Sequence, residues 1–99
     1  MPYAFVQDVP ANEQIYRQIR AKLGDEAPKG LISHVAFTRE GGLRYVDVWE
    51  TQADWERFQS EQAEPAVDEV LASYGIPHDH SMTTFDEIEV IDTWLGSPK

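Results

Sequence analysis

The stretch GGLRYVDVWETQADWERF, residues 41–58, decides the fold. Its glycines can supply the positive φ angles of a short hairpin turn. The alternating run that follows reads as a strand over residues 43–50. Period-two geometry sorts that strand into Leu43, Tyr45, Asp47 and Trp49 on one face and Arg44, Val46, Val48 and Glu50 on the other. Both sets hold apolar residues, and a strand apolar on two sides is expected to be covered on two sides. Thr51 then offers an N-cap with Asp54 at the third helical position, a variant of the capping box, and Trp55 and Phe58 begin a helical stripe.

Working outward, residues 31–38 form a second strand, rich in apolar and β-branched side chains. It pairs with the first through the Glu40-Gly41-Gly42 turn. A turn centred on Gly41-Gly42 pairs residues whose numbers sum to about 83, which sets His34 opposite Trp49 and Ala36 opposite Asp47. His34 and Asp47 are then diagonal neighbours. Upstream, residues 3–8 read as a strand ended by Pro10, and Asn12 caps a helix that gathers Ile15, Tyr16, Ile19 and Leu23 on one face. Arg17, Gln18, Arg20 and Lys22 fall mostly outside that face, and Gly24 stops the helix.

Downstream, Glu64-Pro65 predicts a helix break and restart. Val67, Val70, Leu71 and Tyr74 line the restarted helix as far as Gly75. A polar loop over residues 76–81 leads to a closing strand over residues 85–94, with Phe85 and Ile91 on one face and Ile88, Val90 and Trp94 on the other. The order β-α-β-β-α-β is the α+β, ferredoxin-like arrangement, a four-stranded antiparallel sheet with helices on one face. One domain over residues 1–99 accounts for the chain. The second sheet face would be a bare apolar surface, so a homodimer through sheet faces is expected.

Composition narrows the partners. The chain of 99 residues carries 8 Lys and Arg against 18 Asp and Glu, a net charge of −10, so nucleic acid and anionic membrane are poor partners. The absence of cysteine removes disulfides, thiol nucleophiles and Cys-ligated metals. No apolar run could span a bilayer and no secretory signal opens the sequence, which makes the cytoplasm the expected compartment.

The run Val46-Asp47-Val48-Trp49-Glu50-Thr51, followed by Ala53, Trp55 and Phe58, resembles the strand–WES–helix signature of the dimeric α/β-barrel superfamily. That superfamily includes the antibiotic-biosynthesis monooxygenase-like and stress-responsive barrel proteins. Gly30-Leu31-Ile32-Ser33-His34-Val35 is similar to the second strand of small, mostly uncharacterised bacterial members. The resemblance implies a ligand pocket between the sheet and helices of each subunit, and chemistries that include cofactor-free oxygenation of polycyclic aromatics. It also includes haem degradation, which uses an Asn on the first strand, a Trp on the second helix and a ligating His. Here those places hold Gln7 and Asp8, Phe58, and Val67, so haem degradation is set aside and no cofactor is expected.

Candidate chemistry rests on a few side chains. His34 is a general-base or ligand-binding candidate, because imidazole titrates near neutrality; the plainer role is a satisfied, partly buried histidine. Asp47, set between Tyr45 and Trp49, either orients His34 or is an interface carboxylate bonded elsewhere. Tyr16, Tyr45, Tyr74, Trp49, Trp55 and Phe58 could line an aromatic pocket for a small aromatic ligand, although aromatics at such spacings also make simple core. His78 and His80 are weak metal candidates, since a site needs a third and usually a fourth ligand. The leading expectation is a small-molecule-binding barrel, a cofactor-independent monooxygenase-like enzyme on an aromatic or polyketide-like compound. The alternative is a non-enzymatic binding or stress-response module.

Overall fold

The computed structural model describes residues 2–76 and 83–94. Strand β1 (Tyr3–Val9) leads to helix α1 (Glu13–Leu23), then to the hairpin β2 (Leu31–Arg39) and β3 (Gly42–Trp49). Helix α2 (Gln52–Phe58) runs into a π-helical turn (Gln59–Ala63) and helix α3 (Glu64–Ser73), and β4 (Thr84–Ile88) closes the sheet. The strands are ordered β2-β3-β1-β4, all neighbours antiparallel, which is the ferredoxin-like α+β order. Among the described residues no helix is long and apolar enough to cross a membrane.

Local chemistry sets the helix starts. Asn12 accepts a hydrogen bond from the Ile15 amide at 2.8 Å, and the Thr51 hydroxyl accepts one from the Asp54 amide at 3.1 Å. Each cap satisfies a donor that the first helical turn leaves unpaired. Gly30 is required by close packing. A Cβ there would run into the Asp54 side chain, and the Gly30 carbonyl accepts from the Glu50 amide at 2.7 Å, tying the start of β2 to the entry of α2.

The hairpin departs from its expected register. Arg39 pairs with Gly42, so the loop is only Glu40-Gly41, with Gly41 at φ 85°, and Gly42 belongs to β3. From Ser33 to Arg39 every pair therefore slips by two residues relative to a turn centred on Gly41-Gly42, and an irregularity between Leu31 and Ser33 shifts Leu31 one further, opposite Trp49. His34 faces Asp47 directly, and Ala36 faces Tyr45. A slip of two preserves the faces while changing the partners.

Two other expectations change. The chain does not break at Glu64-Pro65. Phe58, Ala63 and Glu64 all keep right-handed helical dihedrals, and the turn widens to π geometry just ahead of Pro65, which has no N–H to continue the α-helical ladder. The last strand is shorter than residues 85–94. Pairing with β1 ends at Ile88, and Ile91 and Trp94 stand 93% and 94% exposed rather than on a sheet face.

The helices pack on the face carrying Phe5, Asp47 and Trp49. There Phe5 is fully buried and its ring lies 4.5 Å from both Trp55 and Phe85; Trp49 adds contacts to Trp55 at 5.6 Å and Phe58 at 5.3 Å. This aromatic cluster joins β1, β3, α2 and β4. Lys22 of α1 pairs with Glu69 of α3 at 2.9 Å, which helps to hold those two helices side by side.

The opposite face carries rows of aligned side chains. Ser33, Val48, Ala4 and Ile88 form one, Val35, Val46, Val6 and Asp86 the next, and Phe37, Arg44, Asp8 and Thr84 the third. In the third row Arg44 grips Asp8 bidentately at 2.7 and 3.0 Å, with Arg39 at 3.4 Å. The Arg44 hydrogen bond, helped by Arg39, holds the Asp8 carboxyl below the usual carboxylate range.

Candidate functional site

A hydrogen-bonded chain of four side chains crosses from helix to sheet. Tyr16 comes from the inward face of α1, His34 from β2, and Asp47 and Trp49 from β3. The Tyr16 hydroxyl lies 2.8 Å from His34 Nε2, His34 Nδ1 lies 2.6 Å from Asp47 Oδ1, and Trp49 Nε1 donates to Asp47 Oδ2 at 3.2 Å. The strand pairing places His34 opposite Asp47, and period two puts Trp49 on the same face.

The chemistry of the four groups assigns their roles. Indole N–H can only donate, so Asp47 accepts from Trp49. The same carboxylate accepts from His34 Nδ1–H, which leaves the neutral imidazole with its lone pair on Nε2. Tyr16 O–H donates into that lone pair. Asp47 is 4% exposed, so its charge is withdrawn from water and met by two donors, the arrangement a buried carboxylate requires. Burial pushes the Tyr16 hydroxyl upward in pKa, and the Asp47 charge adds to this while Arg20 opposes it. Burial does the same to Tyr45, reinforced by Tyr16 and Asp47. Both phenols therefore stay protonated at neutral pH and serve as O–H groups. Tyr45 also flanks the pair sterically, its ring 5.4 Å from His34 and 5.5 Å from Tyr16.

This chain opens onto a cavity of about 890 Å³ between the sheet and the helices. The aromatic cluster forms part of the cavity wall through Trp49, Trp55 and Phe58; aliphatic side chains of α1 and α3, including Ile19 and Leu71, line it as well. The uncharged polar side chains and the hydrogen-bonded groups on the wall are the Tyr16–His34–Asp47 chain, Gln7, Tyr45, Thr83, and Gln59 and Gln62 from the π-helical turn. Asp25, Glu26 and Glu64 add negative charge, and Arg20 is the single Lys or Arg among the described lining residues.

The candidate residues thus fall into three groups. Tyr16, His34, Asp47, Trp55 and Phe58 meet at the cavity. Tyr74 stands outside it: it is 41% exposed at the end of α3, where its hydroxyl accepts from Gln18 at 2.7 Å. His78 and His80 lie outside the described residues. Among the described residues no group of three or more His, Asp or Glu gathers where it could hold a metal. Sequence reasoning missed one role and three residues. Trp49 is the second donor to Asp47, a role its i, i+2 spacing on one strand could have suggested. Arg20 reaches the cavity from a helix face assigned to solvent, and Gln59 and Gln62 enter through a π turn that no periodicity announces.

No family model matches the sequence, and no curated protein matches it. Solved structures do share its shape. The Rv0793 protein of Mycobacterium tuberculosis superposes with a TM-score of 0.56 at 15% identity, over 94% of this chain and 98% of that one. The NE2512 protein of Nitrosomonas europaea, described as a protein of unknown function, gives a TM-score of 0.58 at 16% identity, over 98% of this chain and 95% of that one. At such identities the likeness speaks for the fold and not for chemistry.

Proposed function

We propose that this chain is a small-molecule-binding member of the dimeric α/β-barrel superfamily that acts on an aromatic compound, with His34 as general base. The observation that carries the reading is the short His34–Asp47 hydrogen bond opening onto a largely apolar cavity of about 890 Å³. A volume of that size suits a multi-ring ligand. Asp47 fixes the imidazole tautomer and stabilises the imidazolium that forms when Nε2 takes a proton. A cofactor-independent monooxygenation, the reaction class implied by the resemblance, needs such a base to make the electron-rich anion with which dioxygen reacts.

The test is a thermal-shift screen of hydroxylated aromatic compounds, followed by turnover under air for those that raise the Tm. His34→Gln keeps the bulk and loses the base, and is expected to lower turnover by about 10²–10⁴-fold. A His34→Gln protein that converts every ligand at the wild-type rate ends the proposed role.

The dimer belongs to the same reading and is supported by the second sheet face. Val35, Phe37 and Ile88 are 54%, 44% and 42% exposed there, beside half-buried Val6, Val46 and Val48. A two-fold interface repeats each substitution on both sides. Val35→Lys with Phe37→Lys is therefore expected to weaken dimerisation by about 1,000-fold or more, through like charges set face to face. Sedimentation velocity reads the result, and a wild-type chain that stays monomeric at the highest concentration reached excludes the interface.

A further inference from the structure

The base is not open to the cavity by its reactive atom. His34 Nε2 is already occupied by the Tyr16 hydroxyl at 2.8 Å, Nδ1 is held by Asp47 at 2.6 Å, and the Tyr45 ring closes on the imidazole at 5.4 Å. Tyr16 itself lines the cavity. Its hydroxyl gives its hydrogen to Nε2, so the oxygen lone pairs are what it can offer a ligand. Arg20, one turn further along α1, is the only lining cation among the described residues, and its charge acts on the Tyr16 hydroxyl.

From this geometry we infer that Tyr16, not His34, meets the acidic hydrogen of the ligand, passing its own proton to His34 Nε2, and that the ligand is a neutral weak acid such as a phenol or enol. The inference rests on His34 acting as a base and adds the group that touches the ligand. In the step the ligand O–H bond breaks and its electron pair stays on the ligand oxygen. The released proton bonds to the Tyr16 oxygen as the former Tyr16 proton moves to Nε2. The products are a ligand oxyanion and an imidazolium facing Asp47, with no change of oxidation state. Arg20 is the charge that meets the oxyanion. The carboxylates of Asp25, Glu26 and Glu64 on the same wall select against ligands that arrive fully ionised, such as phosphates and carboxylates.

The probe is 4-nitrophenol, whose phenolate is coloured, with its methyl ether 4-nitroanisole as the control that carries no acidic hydrogen. Wild-type protein is titrated with each slightly below the pKa of the free phenol, beside Tyr16→Phe and His34→Gln. Wild type is expected to prefer the phenol over the ether by about tenfold or more and to bind it as phenolate. Tyr16→Phe keeps the ring, and is expected to bind the ether as wild type does while losing both the preference and the colour. His34→Gln loses the colour as well. If Tyr16→Phe keeps the phenolate band and His34→Gln loses it, the ligand meets His34 directly; the Tyr16 proposal is overturned and the base survives. A band that persists in both variants overturns the base reading too. A wild type that binds neither probe, or binds the phenol uncoloured and no tighter than the ether, overturns the proton transfer and the ligand class together.

Discussion

Phe5→Ala is expected to lower the stability of the fold by about 3–5 kcal/mol, at the top of the range for removing a buried aromatic. The helix–sheet space of this protein holds a cavity of about 890 Å³ beside its aromatic cluster. An unfilled cavity contributes little dispersion energy, so the aromatic cluster carries most of what holds α2 against the strands. Phe5 belongs to that cluster, fully buried, its ring centroid 4.5 Å from those of both Trp55 of α2 and Phe85 of β4. Its neighbours belong to a sheet and a helix that are capped and hydrogen-bonded, so they cannot collapse freely into the void. A domain of this size is stable by roughly 5–15 kcal/mol. The loss should appear as a drop in Tm of roughly 15 °C or more, and as a lower urea midpoint at similar slope. A loss below about 1 kcal/mol would show that the cluster is not the principal core.

Asp47→Asn is expected to cost about 1–3 kcal/mol of stability and about 10²–10⁴-fold in the base-dependent reaction. The side chain keeps its size, but one acceptor oxygen now faces two donors, His34 Nδ1–H at 2.6 Å and the Trp49 indole at 3.2 Å. If the amide oxygen stays with Trp49, the amide N–H meets Nδ1 and drives the imidazole to the other tautomer. Nε2 then carries a hydrogen and cannot accept from Tyr16. If the oxygen stays with His34, the indole N–H is stranded in a site that is almost fully buried. Either way the imidazolium loses its counter-charge. Urea unfolding gives the stability change, and pre-steady-state proton release with a ligand from the screen gives the other. Equal activity in Asp47→Asn and wild type would mean that Asp47 serves only to pair Trp49.

Much of the fold was legible because it is written locally. Asn12 and Thr51 announce their helices through side chains that bond within three residues. The alternation through β3 assigns its faces without reference to a partner. What the sequence hid depends on counting across a gap or on distant packing. Glu40-Gly41-Gly42 contains more turn-capable residues than the turn uses, and the choice between Gly41 and Gly42 decides whether His34 meets Asp47 or Trp49. Period two continues past Ile88 to Trp94, yet pairing depends on β1, which offers no partner beyond Tyr3. Tyr74 has the right helical spacing, but α3 carries it beyond the edge of the cavity. The Tyr16–His34 bond joins a helix to a strand, a contact that neither element's own periodicity contains.

The π-helical turn at Gln59–Ala63 has a wider consequence. In an unbroken α-helix each residue advances about 100°, so the side that one end presents dictates the side presented by the other. The widened turn takes up roughly one extra residue and uncouples those two ends. Trp55 can be committed to the core while Val67 and Leu71 face the cavity, and neither choice constrains the other. The turn behaves as a phase adjuster in the middle of a single rod. Lineages of this fold that lose or gain one residue there could retune the cavity wall without touching the sheet that holds His34 and Asp47.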